Sequence, residues 1–361
     1  MKTIFRFALP ALASLCLVAC SDDDNNGSSN GSGTTTTVKG VYVLSEGSYY
    51  SKLCGDLTSY DPETKVCTNS VFGSANERSL TGTCNDGLVY GSKLYIANTD
   101  ENLIEVVDAK TAKSVKQITL KGARCLEAYN GNIYATSFYD NQVVKIDTTS
   151  YSITGTVATG TYPEGMAVLG GTLYVANSGY GSGNTVTTVD LATFKLKGNI
   201  TVPTNPVEFA TDGTTLFLLC SGKYKADYTG YDENPAVYTL DAEGTATKIA
   251  DATNMALGNG SLYLINNNYY STTGITYSVY SLSAKTVAAW TPSELPFSPY
   301  SIGVNPTNGD VYITSYNSID YGDGKLNIDY NGDCYVMRYD KNGTKLDKFA
   351  CGVNPGTIIF F

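Results

Sequence analysis

The chain of 361 residues contains no histidine, and that absence excludes more than any single motif supplies. It removes Ser-His-Asp and Cys-His catalysis, imidazole metal sites and histidine-gated pH switching. Enzymes without histidine exist, so an enzymatic reading is weakened rather than abolished. Long apolar runs are also missing: beyond a short stretch near the start, no segment is apolar enough to cross a bilayer as a helix. Positive charge is scarce as well. Lys and Arg number 24 against 34 Asp and Glu, and removing Lys2 and Arg6 leaves 22 basic residues. So acidic a surface repels nucleic acid and anionic lipid, and neither is expected as a partner.

Lys2 and Arg6 precede an apolar core from Phe7 to Val18, too short for a permanent span, so residues 1–19 read as a secretory signal. The box Leu17-Val18-Ala19-Cys20 resembles that of bacterial lipoproteins. The resemblance implies cleavage before Cys20 and multiple acylation of that residue, a firm anchor. Ser21-Asp22-Asp23-Asp24 resembles the export signal of surface lipoproteins in gut Bacteroidota, which implies an outer-membrane, lipid-anchored protein facing the exterior. Residues 20–38 offer nothing apolar to bury, and a flexible tether of about 18 residues reaches roughly 25 Å. Residues 39–361 remain as the folded body.

Within that body a short phrase recurs, as in Leu94-Tyr95-Ile96-Ala97-Asn98, Leu173-Tyr174-Val175-Ala176-Asn177 and Leu262-Tyr263-Leu264-Ile265-Asn266. Its aromatic residues are Tyr42, Tyr95, Tyr134, Tyr174, Phe217, Tyr263 and Tyr312. A spacing near 40–50 residues with four short β segments per unit predicts an all-β, seven-bladed β-propeller. Each unit continues into a second strand and then an Asp that opens a tight turn: Asp61, Asp108, Asp147, Asp190, Asp241 and Asp340, with Ser283 in the sixth unit. An Asp in that place bonds the backbone two residues on, so these acids read as structural rather than catalytic. Before each aromatic phrase lies an apolar innermost strand, often introduced by Pro or Asn. The chain ends in one more, Asn354-Pro355-Gly356-Thr357-Ile358-Ile359-Phe360-Phe361, with no blade behind it. That segment is expected to pair beside residues 41–44, close the ring and remove its open edges.

Seven cysteines follow Cys20. Cys334 and Cys351 lie symmetrically about Asn342-Gly343, a strong hairpin signal, and are expected to face each other. Cys84 with Cys125, and Cys54 with Cys67, are further disulfide candidates; Cys220 reads as a small buried apolar residue.

In a propeller the loops entering the inner strands and those leaving the aromatic strands share one face, and here the second set is long and rich in Tyr, Asn, Ser and Gly. Such mixtures suit binding, because rigid amphipathic rings supply area while amides adapt their hydrogen bonds. Loop placement nominates Tyr50, Phe138, Tyr139, Asn177, Tyr180, Tyr228, Tyr231, Asn267, Tyr269, Tyr270, Tyr316 and Tyr321 as ligand contacts, with Arg124 available to a ligand phosphate. In the seventh loop Asp320, Asp323, Asp329, Asn331 and Asp333 carry the oxygen chemistry of calcium, although the EF-hand glycine is out of register; any such ion would only stabilise the loop. Neither a catalytic set nor a catalytic metal site is evident, and the acids near the inner strands, Asp86, Glu127, Glu164 and Glu208, are scattered in sequence.

Phrase, period and blade count together resemble the YncE-like seven-bladed propellers across residues 39–361. With the lipobox, the acidic patch and the Tyr/Asn loops, the chain resembles the cobalamin-capturing, BtuG-type surface lipoproteins of gut Bacteroidota. That resemblance implies capture of cobalamin or a related corrinoid and its delivery to a TonB-dependent outer-membrane transporter, with no catalysis and no cofactor beyond the bound ligand. A corrinoid is broad and flat, with apolar faces and an amide fringe that a Tyr- and Asn-lined mouth suits. With no imidazole in the protein, the ligand is expected to keep its own lower base. Two alternatives stay open. Glycan capture favours one aromatic shelf over a ring of them, whereas a lactonase-like or quinoprotein-like enzyme requires acids and a metal converging in the channel.

Overall fold

Because the recurring phrase is apolar at successive positions, it suits a strand covered on both faces, and it occupies the second place in each blade. The computed structural model describes residues 40–241, 243–268, 270, 274–322 and 324–361. Among them, seven four-stranded antiparallel sheets form a seven-bladed β-propeller. In the fourth blade, from the channel outward, the strands are Pro163–Leu169, Thr172–Asn177, Thr185–Asp190 and Lys195–Thr201. The second strand is buried between neighbouring blades while the fourth alternates toward water, and in the fifth blade Leu216–Cys220 is buried throughout. Each innermost strand packs on that of the next blade, and the contacts run unbroken around the ring.

Ring closure follows the expected route. Pro355–Phe360 is the innermost strand of the first blade and runs antiparallel to Val41–Ser45, with Val41 opposite Phe360 and Val43 opposite Ile358. Gly40 and Phe361 exchange backbone hydrogen bonds, and the Phe361 ring stacks on Tyr42 at 4.3 Å. First and last segments thus share one sheet, which leaves no open edge at the join.

The turn acids are structural. Asp147 Oδ1 accepts from the backbone N–H groups of Thr149 and Ser150 at 3.2 and 2.7 Å, and Asp61, Asp108, Asp190, Asp241 and Asp340 serve the same turn. The sixth blade departs from expectation. Strand Thr276–Ser281 ends at Ser281, and it is Ser281 Oγ, not Ser283, that accepts the N–H of Ala284. A six-residue helix, Val71–Asn76, also enters unannounced between the first two blades, where Phe72 is buried.

Of the cysteine pairings, one is placed as expected: Cys334 and Cys351 stand directly opposite in adjacent strands. The other two differ. Cys67 lies against the last blade, its Sγ 3.4 Å from the carbonyl of Ala350, rather than beside Cys54. Cys84 is buried at the join of blades one and two, whereas Cys125 faces the channel acids. Cys220 is buried, as a small apolar residue would be. All seven are free thiols. Cys20, with residues 1–19 and the tether, lies outside the described residues.

Candidate functional site

Strand register fixes which loops meet. Pro163, the first residue of its inner strand, is opposite Asn177, the last of the aromatic strand; Ala123 is opposite Ser137 and Ser298 opposite Tyr316. Loops entering inner strands and loops leaving aromatic strands therefore share one rim, here called the upper rim. The Asp turns share the opposite, lower rim.

Aromatic side chains gather at four places on the upper rim. On the first blade Tyr49 and Tyr50 meet edge to face at 5.6 Å, with Lys52 Nζ 4.3 Å above Tyr49; Tyr50 is 94 % exposed. On blades three and four Phe138 contacts Tyr139, Tyr162 and Tyr180 with centroids 5.4, 4.9 and 6.4 Å away. Phe138 is the buried floor of this group, and Tyr139 and Tyr180 are exposed above it. On blades five and six Tyr224 stacks on Tyr231 at 4.4 Å, and Tyr270 sets its edge on Tyr231 and donates its hydroxyl to the carbonyl of Tyr228. On the seventh blade Tyr316 lies between Tyr300 and Tyr330, at 5.3 Å from each. Two small hairpins, Lys223–Tyr224 with Tyr231–Glu233 and Ser318–Ile319 with Asn327–Ile328, carry exposed Tyr228 and Tyr321 outward.

Not every nominated residue reaches this surface. Asn177 is buried within its blade, donating to Thr185 Oγ1 and Thr187 Oγ1 at 3.1 and 3.0 Å. Asn267 donates to the carbonyl of Pro299 at 3.0 Å and ties blade six to blade seven. The buried Tyr316 presents little more than its edge, its hydroxyl donating to Asn354 Oδ1. Tyr269 lies outside the described residues. Conversely, Tyr162, Tyr224 and Tyr300 belong to the clusters and were not nominated. Tyr162 precedes a proline in the left-handed conformation that Asn205 and Asn354 adopt before theirs (φ 52° against 62° and 54°). An aromatic residue is strained there, and such strain concentrates at functional surfaces. That mismatch with its counterparts was a signal available in the sequence.

Below the rim, the channel collects its charged groups. Arg124 donates through Nε to Glu164 Oε2 at 2.7 Å, with its guanidinium 5.2 Å from the Phe138 ring centre. Burial opposes the charge of Arg124, but Glu164, Cys125 and Glu46 hold its proton more firmly than usual. With Glu164 already paired to it, a ligand phosphate at Arg124 must compete for the same charge. Glu46 accepts from Tyr300 Oη at 3.0 Å, and burial pushes its carboxyl up to about 7 against the pull of Arg124 and that hydrogen bond. Its carboxyl lies where a β-carbon on residue 356 would stand, so a side chain there would push Glu46 aside. Deeper in, Asp86 accepts the N–H of Leu126 at 2.7 Å and is pushed up to about 6 by burial. Glu127 and Glu208 are raised to about 8, by burial first and then by Asp86. The acids that are scattered in sequence therefore share one channel and repel one another. At its lower end a hollow of about 250 Å³ is bounded by Glu127, Tyr129, Val168, Gly170 and Thr211.

The acids of the seventh loop serve the loop itself. Asp320 accepts from Gly322 and Gly324, and Asp329 from Asn331 and Gly332, as Asx turns do. Among the described residues no three acidic, cysteine or histidine side chains are arranged to hold a metal ion, and Asp323 falls outside them.

No protein-family model and no curated protein matches the chain. Solved structures do. Hydrazine synthase from Kuenenia stuttgartiensis aligns with TM-score 0.58 and 15% identity over 84% of this chain and 99% of its own. A Bacteroides fragilis protein, provisionally named a 6-phosphogluconolactonase, aligns with TM-score 0.61 and 10% identity over 91% and 100%. A similarly named protein from Bacteroides uniformis gives 0.60 and 10% over 90% and 100%. At these identities the likeness defines the class of protein, a seven-bladed β-propeller of a scaffold that enzymes also use, and says nothing of the ligand.

Proposed function

We propose that this protein is a cell-surface capture protein that binds a corrinoid such as cobalamin on the upper rim and passes it to a TonB-dependent outer-membrane transporter, held to the membrane by acylated Cys20. The observation that carries the reading is the distribution of aromatic clusters: blade one, blades three and four, blades five and six, and blade seven all contribute to one rim. A flat ligand with apolar faces and an amide fringe is matched by rings that cover its faces and by hydroxyls that bond its edge. A glycan needs one continuous shelf, and the closest approach to one is the stacked Tyr224–Tyr231 pair.

A hydrolytic reading draws support from one observation, the grouping of Asp86, Glu127 and Glu208 with raised proton affinity in the channel. The two are separated by titration calorimetry of residues 39–361 with cyanocobalamin and a glycan panel, alongside a lactone-hydrolysis assay. Saturable corrinoid binding without turnover is the expected result. Turnover, or heat only with a glycan, overturns it.

A further inference from the structure

The exposed Cys54 belongs to the upper-rim loop that follows strand Val41–Ser45, the loop that carries Tyr49 and Tyr50. Its neighbour Gly55 packs directly on Cys84: a β-carbon placed on Gly55 would stand 2.6 Å from Cys84 Sγ. Cys84 opens the inner strand Cys84–Tyr90 of the second blade and donates its N–H to the carbonyl of Glu46 at 3.4 Å. The same two segments thus meet at Glu46 and again at Gly55. Burial raises the Cys84 thiol, and the charges of Glu46 and Cys54 raise it further, which places Cys54 within electrostatic reach. Cys125 has different surroundings, dominated by burial and then by Asp86, Glu164 and Arg124.

We infer that Cys54 and Cys84 are a disulfide-forming pair that staples the aromatic loop of blade one to the inner strand of blade two. The reaction is thiol–disulfide exchange with a disulfide oxidant. The exposed Cys54 sulfur attacks the oxidant, releasing one thiol and leaving a mixed disulfide. Cys84 sulfur then displaces the second thiol, so the oxidant's S–S bond breaks, the Cys54–Cys84 bond forms, and two electrons and two protons pass to the oxidant. The staple fixes the base of the loop bearing Tyr49 and Tyr50. Its consequence for ligand capture rests on the proposed function; the connectivity does not.

The test is peptide mapping of the full chain, oxidised with glutathione disulfide, denatured, alkylated and cleaved with trypsin without reduction. Lys52, Lys65, Arg78, Lys93, Arg124 and Lys145 place Cys54, Cys67, Cys84 and Cys125 in four different peptides. The expected product is a linked species of peptides 53–65 and 79–93 that reduction separates. Linkage of 53–65 to 66–78, or of 79–93 to 125–145, overturns the assignment, as does full alkylation of both cysteines. A second measurement concerns the rim: Cys54→Ser is expected to increase backbone hydrogen exchange at residues 48–53 at least tenfold. Unchanged exchange with the linkage present retains the bond and discards its ordering role.

Discussion

The two rims of the ring are built from the same strands and differ in nearly everything else. The lower rim repeats itself: an Asp, or Ser281 in the sixth blade, closes each turn by accepting backbone N–H groups, and Asp61, Asp147 and Asp190 hold their protons less firmly because of hydrogen bonds from turn hydroxyls and backbone N–H groups. The upper rim repeats almost nothing. Its loops vary in length, two grow hairpins, and Tyr162 stands where other blades carry Asn or Gly. Repetition marks what the scaffold needs in order to fold, and variation at a fixed place marks where a ligand or partner is met. The difference between the rims is stronger evidence for function than either rim alone.

The largest expected effect comes from opening the ring that carries both rims. Deleting residues 354–361 takes away the innermost strand of blade one, exposes the edge of Val41–Ser45 and uncovers Tyr42. Loss of the cooperative thermal transition, or a fall of more than about 10 °C, is expected by differential scanning calorimetry. An unchanged melting curve means that the ring is held shut by something else.

The next effect should separate the rims. Tyr180→Ala and Tyr228→Ala each remove an exposed upper-rim ring and are expected to weaken corrinoid binding about tenfold while leaving the melting temperature within about 1 °C. Tyr129→Ala removes a half-exposed ring from the lower rim and should leave binding unaltered. Equal losses from both rims in calorimetric titrations would break the comparison. A smaller effect runs the other way: Asp147→Ala is expected to lower the melting temperature by roughly 2 °C, with binding unchanged.

The scaffold was legible in the sequence because its physical causes are local and repeated. An aromatic phrase every 40–50 residues dictates a strand in the same place in every blade, and a trailing inner strand without a blade dictates closure. The site was legible only in outline, because loop membership does not decide where a side chain points. Asn177 ends its phrase like a loop amide, but strand alternation turns it inward onto Thr185 and Thr187. Tyr162 reaches the cluster from a short entering loop that length alone gave no reason to inspect. The cysteines teach the same lesson. Symmetry about a hairpin placed Cys334 opposite Cys351 because both lie in one ladder, whereas Cys54 and Cys67 flank a turn with strands too short to carry the register outward.

The smallest expected effect concerns neither rim but the channel between them, and its sign is fixed by burial. Glu127 and Glu208 hold their protons up to about 8, above the ordinary glutamate value of 4.5, since burial and the charge of Asp86 disfavour ionisation. A carboxyl raised on folding favours the folded state fully below the unfolded value and loses that contribution as pH rises through the folded one. The protein should therefore melt at a higher temperature at pH 5 than at pH 8.5. Glu208 is surrounded by protein in the channel, which sets the direction of its shift, yet its side chain still reaches channel water, so the difference should be modest, about 1–2 °C. Glu208→Gln keeps the shape and removes the charge, so it should flatten the upper part of that profile in melts from pH 4 to 9. A variant profile parallel to that of the native chain would show that Glu208 ionises freely, and would take one of the three acids out of the grouping on which a hydrolytic reading draws.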